Sequence, residues 1–316
     1  MSASKQRVIK YLLVLMTLLF LLFFISSIDL NEMNSMFKQT PIYIFVIMLF
    51  LQVVTMALIS FQYAKIFKSY QMKIAFSKLI SMQAIGTFYD SVTPMFKVGG
   101  EAFKMIYLKK QGYDTSRAAV IVLTQKIFSF FTFSLLFFFV LFYSSRRLYV
   151  FIKGHHLWLY YGFFMLLLIV LPLTFWILIK KYKPIFYGQI KKVFKSFNFH
   201  HLLIHLALGV AIWLLFAFKT YFFIRIIGLA IQVDEAMLVT YSTYMIGLLP
   251  ISIAGIGTSE VSMGTMLQFF GLHEQVAYYI AIVLRFTTFW FVFLTSAIIL
   301  LIQALRQASI RRYIHG

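Results

Sequence analysis

Along this chain, long uninterrupted apolar runs alternate with short polar segments rich in lysine. The runs Tyr11–Ile28, Pro41–Ala64, Ala118–Tyr143, Leu157–Ile179, Leu202–Ile224 and Val276–Ile302 each approach or exceed the roughly 20 helical residues that cross a hydrocarbon core of about 30 Å. They predict six full transmembrane helices. Pro41 opens its helix where a missing N–H is tolerated, and Pro172 is expected to kink the helix that contains it. Two further segments break the pattern. Within Ile74–Thr93 the uncharged stretch is only Leu79–Tyr89, too short to cross, while Ala236–Ile253 is interrupted at Pro250 and runs into "AGIGTSE". Glycine and proline punctuation of this kind predicts helices that stop inside the membrane.

Composition excludes a soluble fold: 62% of the 316 residues are hydrophobic and 12% are charged. The expected fold class is an all-α polytopic membrane protein, with about six full spans and two re-entrant hairpins in one domain covering residues 1–316. With no cysteine, disulfides, thiolate metal sites and thiol catalysis are excluded. The net charge of +20 lies in short loops beside the apolar runs, which fits attraction to anionic headgroups. With no zinc finger, basic reading helix or soluble domain to carry one, no nucleic-acid partner is expected. The N-terminus reads as an uncleaved first helix, because its apolar run is long and no small-residue cleavage site is clear around Ser26–Ser27.

Loop charge sets the expected topology. Lys65, Lys68 and Lys73, then Lys97, Lys104, Lys109, Lys110 and Arg117, flank Ile74–Thr93 on both sides, so this segment is expected to begin and end on the inner face. Residues 180–195 hold six lysines and come out inside as well. The segment Gly228–Glu235 has no Lys or Arg and comes out outside. A second hairpin over Ala236–Leu272, entering from outside, then returns Arg306, Arg311 and Arg312 to the inside. Both termini are expected to be cytoplasmic, in the plasma membrane. One loop disagrees: Ser144–His156 is expected outside, yet carries Arg146, Arg147 and Lys153.

The hairpins read "TPMFKVGGE" and "LPISIAGIGTSE", each a proline, then two glycines, then a glutamate. Entering from opposite faces they form an inverted repeat, the arrangement that places substrate at the midplane between broken helices. Gly99 and Gly100 precede an expected helix at Glu101–Gln111, with Lys97 and Lys104 beside its start. Exposed N–H groups there suit a phosphate, and glycine lets it approach the backbone. The alternative is an interfacial turn whose lysines snorkel.

These two stretches carry a resemblance. "VGGEAFKMIYLKKQG" resembles the G-G-E-x-x-[RK]-x-x-x-L-x-[RK]-x-G signature of the lysylphosphatidylglycerol synthase transmembrane-region family, the flippase-like domain. "LPISIAGIGTSE" is similar to that family's second signature, P-x-[ST]-x-x-G-x-G-x-x-E, and "LRFTTF" in the last helix also agrees. The resemblance implies a polytopic domain that moves lipids or lipid-linked sugars across the bilayer. The matched residues are Gly99, Gly100, Glu101 and Lys104, then Pro250, Ser252, Gly255, Gly257 and Glu260. Two departures stand out. Gln125–Lys126 replaces an acid–arginine pair, and Ser259 replaces an arginine before the second glutamate.

Lys126 and Arg285 lie deep in their spans, where a cation costs about 2.5–3.5 kcal/mol and turns to a partner or a cavity. Glu101 and Glu260 are the expected partners, with an incoming phosphate competing for the cations. A purely structural ion pair, or snorkelling, is the alternative. Lys219 lies near its helix end and is expected to snorkel. Asp90, just before the first break, is expected to pair with Lys97 or to cap a helix. Residues 180–201 read either as an amphipathic interfacial helix, with Phe186, Ile190, Val193, Phe194 and Phe197 on one face, or as a basic loop.

The expected function is translocation of an anionic phospholipid or lipid-linked glycan, with no catalytic residue, metal or cofactor and no ATP-binding loop. The partners expected are that lipid, the bilayer and, as further options, a second copy of the chain or a separate glycosyltransferase. Two other functions stay open. One is aminoacyl-lipid synthesis of the phosphatidylglycerol lysyltransferase type, associated with resistance to cationic peptides. It needs a cytosolic transferase domain, and none is expected after residue 316. The other is a non-catalytic accessory subunit of a glycosyltransferase.

Overall fold

In the computed structural model, residues 15, 17–19, 21–22, 24–26, 28–70, 72–93, 99–144, 198–249 and 251–302 are described. The helices, in chain order, are α1 (Thr17–Ser26), α2 (Leu30–Gln39), α3 (Ile42–Ser69), α4 (Phe76–Val92), α5 (Gly99–Lys110), α6 (Thr115–Tyr143), α7 (Phe199–Ile226), α8 (Val233–Leu248), α9 (Thr258–Phe269) and α10 (Glu274–Ile302). Among the described residues no strand occurs.

Four helices, α3, α6, α7 and α10, are long and apolar enough to cross a membrane. They match four of the six expected spans and extend them by a few residues, to Ile42–Ser69, Thr115–Tyr143, Phe199–Ile226 and Glu274–Ile302. The expected span Leu157–Ile179, the kink at Pro172, the loop Ser144–His156 beyond its first residue and nearly all of segment 180–201 lie outside the described residues. So does much of the expected first span, whose described part, α1, turns by 78° into α2. Residues 29–40, which lie between the first two expected spans, are thus mostly helical. Asp29 explains the start: its carboxylate accepts from the N–H groups of Asn31 and Glu32. Met33 is buried against the cluster of Phe223, Ile224, Ala277 and Tyr278, which gives this charged helix a reason to fold.

The spans behave as helices immersed in lipid. Only 22–33% of each apolar window is buried inside the protein, and the outer faces carry exposed residues such as Ile42, Val46, Phe50 and Val53 in α3 and Leu135, Phe139 and Phe142 in α6. Hydroxyls within the spans return to the backbone four residues earlier, as Thr55 does to Leu51, Ser60 to Met56 and Thr124 to Val120. These three donors are thereby not left bare in hydrocarbon.

Of the remaining helices, α4 with α5 and α8 with α9 form two hairpins that open at opposite ends of the bundle. α4 and α5 pack side by side, and their open ends are tied: Lys78 Nζ donates to Gln111 Oε1 (2.7 Å) and the Tyr113 hydroxyl to the Lys73 carbonyl (2.8 Å). α8 and α9 also pack together, joined by a single 3-10 turn at Ile253–Gly255. The open end of this second hairpin lies where Ser144, at the far end of α6, donates to Asp234 (2.9 Å). Asp29 and Thr40 meet Gln275 and Tyr279 at the same end. At 1.5 Å per residue, α5 and α9, of 12 residues each, reach about 18 Å, little more than half a hydrocarbon core. Charge divides the same way. The end bearing the first hairpin's opening carries Lys65, Lys68, Lys73, Lys109, Lys110 and Arg117 against Asp114, and the other carries Asp29, Glu32, Asp234, Glu235 and Glu274 against Lys38 and Arg225.

Candidate functional site

The first hairpin folds on a close approach of backbones. Gly100 in α5 lies against the carbonyl of Gly86 in α4, and a Cβ there would also fall 2.5 Å from the Asp90 carboxyl carbon. Absence of side chains at 86 and 100 is what lets the two arms touch. Helix α5 begins at Gly99, two residues earlier than expected, so both glycines belong to its first turn. The Gly100 N–H is already engaged, donating to Asp90 Oδ1 at 2.8 Å. A resident carboxylate therefore occupies the helix start where the sequence suggested a phosphate, and a phosphate there would have to displace it.

The next residue, Glu101, is buried and its Oε1 accepts from two cations, Lys104 Nζ at 3.4 Å and Lys126 Nζ at 3.3 Å. The Lys104 side chain is enclosed, whereas that of Lys126 is 37% exposed. Lys104 also packs its stem on Gly86 and its ammonium over the Tyr63 ring.

The second hairpin is built on the same plan with a different break. Ala254 holds φ +55°, and Gly255 and Gly257 hold φ +74° and +79°. The glycines take these left-handed values freely, while Ala254 is held there against a cost of about 1–2 kcal/mol. Arg285 is one restraint: its Nη2 donates to the Ala254 carbonyl at 2.7 Å, and its Nε lies 3.2 Å from Glu260 Oε1. The Ser252 and Thr258 hydroxyls close the turn at 2.8 Å. Arg285 stands on the last α-helical residue before a π-turn, Phe286–Trp290, and its guanidinium lies over the Phe289 ring at 4.0 Å. The wider turn rotates everything that follows relative to Arg285.

The two halves correspond in detail. Each glutamate is the third residue of a 12-residue helix, Gly99–Lys110 or Thr258–Phe269. Each pairs with the twelfth residue of the next helix, 25 positions on: Glu101 with Lys126, and Glu260 with Arg285. In each, Oε1 carries the ion pair while Oε2 is buried without a hydrogen-bond partner.

Between the hairpins and α3, α7 and α10 lies a cavity of about 250 Å³. The first hairpin contributes Gln83, Thr87, Asp90 and Ser91 to its wall, and the second contributes Thr243, Tyr244, Ser259 and Glu260. Arg285 and Thr288 from α10, Trp213, Lys219 and Thr220 from α7, Thr240 from α8 and Gln52 from α3 also line it. Taking about 30 Å³ per water, it holds on the order of eight.

Of the residues singled out from sequence, Asp90, Lys219, Ser259, Glu260 and Arg285 line this cavity, and Glu101, Lys104 and Lys126 form their cluster outside its lining. Gly99, Gly100, Ser252, Gly255 and Gly257 shape the breaks rather than the wall. Lys97 and Pro250 lie outside the described residues. Asp90 caps α5, one of its two expected roles.

Lys219 departs from expectation altogether. It does not snorkel: it is fully buried, donating to Gln52 Oε1 at 2.6 Å and Thr55 Oγ1 at 3.2 Å, with its ammonium 4.2 Å from the Phe216 ring centroid. Depth along a helix does not say which way a side chain turns. The available signal was the pair Gln52 and Thr55, polar residues one turn apart in an otherwise apolar span.

No curated protein matches the chain. The sequence model of one family, described as the lysylphosphatidylglycerol synthase TM region, matches residues 7–296. The matched stretch contains both hairpins, both glutamates and both of their partner cations, so the chain belongs to this family of membrane-embedded domains linked to lipid modification or transport.

Proposed function

We propose that this protein moves an anionic phospholipid or a lipid-linked glycan between the two leaflets of the plasma membrane. The observation that carries the reading is the paired construction: two hairpins open at opposite ends, each with a buried glutamate–cation pair, beside one cavity to whose wall both contribute polar side chains. A lipid crossing the bilayer needs a place for its charged head while its tails stay in hydrocarbon. Arg285 offers a cation whose ion pair a phosphate can share, and Glu260 holds that cation in place when the site is empty. Hairpins that end in short breaks rather than long loops can shift as rigid arms, opening the cavity to one face or the other. The positive end of the bundle faces the cytoplasm in this reading, as basic flanks generally do. A second copy of the chain or a glycosyltransferase is a candidate partner.

The test is headgroup movement in proteoliposomes made with phosphatidylglycerol, read by accessibility of the headgroup to an impermeant reagent. Acceleration over protein-free vesicles, lost in Arg285→Met, is the expected result. A rate no faster than that of empty vesicles would instead favour an accessory subunit that assists a membrane enzyme without moving lipid.

A further inference from the structure

Glu101 has two cations where Glu260 has one, and the difference leaves a lysine to spare. Among the described residues Glu260 is held by Arg285 alone, and Arg285 is fixed further by the Ala254 carbonyl and the Phe289 ring. In the first hairpin Lys104 and Lys126 both donate to the same oxygen, Glu101 Oε1. The two lysines are not alike. The Lys104 side chain is 4% exposed and packs on Gly86 and the Tyr63 ring. That of Lys126 is 37% exposed and lies outside the cavity lining. Among the described residues Lys126 has no hydrogen-bond or ion-pair partner except Glu101. Arg285, its counterpart in the second half, is 14% exposed.

Breaking a buried ion pair is costly because it strands the charge left behind. That cost falls on Glu260 and Arg285. It does not fall on Glu101 when Lys126 departs, because Lys104 remains. Asp90 is engaged elsewhere: its Oδ1 accepts from the Gly100 N–H, and it forms no ion pair with either lysine. Lys126 is the twelfth residue of a 29-residue helix. With the overhang of α6 shared between its two ends, Lys126 lies about 10 Å inside the hydrocarbon. An ammonium that changes partner at this depth needs another anion.

We infer that Lys126 is an exchangeable anion-binding residue: its ammonium leaves Glu101 to bind a phosphate group, carried at this depth by a lipid headgroup, while Lys104 stays and keeps Glu101 neutralised. This rests on the transport reading and gives the headgroup a contact outside the cavity, in addition to Arg285. A compact ammonium on a flexible stem suits the exchange, since it can swing between two acceptors, whereas the planar guanidinium of Arg285 is held by several contacts at once.

The chain has no cysteine, which permits a chemical test on the full protein in detergent. Lys126→Cys is treated with aminoethyl methanethiosulfonate, which restores an ammonium, or with methyl methanethiosulfonate, which does not. Binding of short-chain phosphatidylglycerol is measured by equilibrium dialysis, with a short-chain diacylglycerol as the phosphate-free lipid and inorganic phosphate as competitor. Lys126→Met and untreated Lys126→Cys are expected to bind phosphatidylglycerol about tenfold to a hundredfold more weakly than the native chain, the range lost with a charged hydrogen bond. The aminoethyl adduct recovers most of that loss and the methyl adduct none of it. The melting midpoint of Lys126→Met is expected to stay far above that of Arg285→Met, because Glu101 keeps a cation and Glu260 does not. Phosphatidylglycerol binding that resists inorganic phosphate identifies a membrane source, and displacement at comparable concentration identifies a soluble one. Either supports an anion site at Lys126.

Unchanged phosphatidylglycerol binding in Lys126→Met, equal binding of the diacylglycerol, or an aminoethyl adduct that recovers nothing would overturn the inference. So would failure of the reagent to modify Lys126→Cys, or a melting midpoint of Lys126→Met as low as that of Arg285→Met. The two proposals fail separately. Proteoliposomes of Lys126→Met that move lipid at the native rate sink this one, whereas phosphate binding at Lys126 without any lipid movement sinks the transport reading alone.

Discussion

Arg285→Met is expected to abolish lipid movement and to lower stability by about 3–5 kcal/mol, the cost of leaving one partner of a buried ion pair uncompensated. Three contacts disappear at once: the pair with Glu260, the hydrogen bond to the Ala254 carbonyl and the stacking on Phe289. Glu260 is then buried with neither oxygen satisfied, and Ala254 loses a group that holds it at positive φ. Structure and function separate in the double variant Glu260→Gln, Arg285→Met. Removing both charges eliminates the unpaired carboxylate, so the thermal midpoint is expected to return most of the way. Lipid movement should stay absent, because the cation is gone. Recovery of transport along with stability would mean that the pair only holds the hairpin together.

Gly100→Ala is the second large effect. A methyl at this position would meet the Gly86 carbonyl and the Asp90 carboxylate, and the carbonyl belongs to a helix that cannot yield locally. Overpacking of this kind costs about 1–3 kcal/mol, and displacing Asp90 from the Gly100 N–H adds about 1 kcal/mol for the lost cap. The arms of the first hairpin are then forced apart, and Glu101 moves relative to Lys126 on α6. The expected outcome is a marked drop in melting midpoint together with loss of transport. An unchanged midpoint would show that α4 and α5 are not in contact at Gly86.

The parts visible in the sequence were those written in long stretches. Four spans appeared as apolar runs, and the first hairpin followed from Lys78 and Asp90, which leave too little between them to cross. The pairing of Glu101 with Lys126 and of Glu260 with Arg285 followed from depth, since a cation inside the membrane needs a partner. The equal 25-residue separation of the two pairs is equally present in the sequence and is the clearest trace of the repeat. Facts that depend on which face of a helix meets which neighbour were not legible. Lys219 turns inward because Gln52 and Thr55 stand opposite it, on a helix more than 160 positions away. Asp90 reaches Gly100 only because the hairpin closes. Helix α2 is short and charged and leaves no apolar run in the sequence, and its stability comes from an Asp29 cap and from contact with α10. The cavity is lined by Asp90 and Glu260, while the other motif glutamate, Glu101, lies outside its lining, a consequence of hairpin placement that spacing alone does not encode.

The central claim is that two helical hairpins enter the bilayer from opposite faces, and the absence of native cysteine makes it directly testable. Single cysteines at Lys73 and Lys110 mark the two ends of the first hairpin, and those at Val233 and His273 the two ends of the second, all on exposed positions. Labelling with an impermeant maleimide in vesicles of known orientation is expected to modify 73 and 110 from one face only, and 233 and 273 from the other only. Labelling of 73 and 110 from opposite faces would make α4 and α5 a crossing segment, and the account of the site would fall with it.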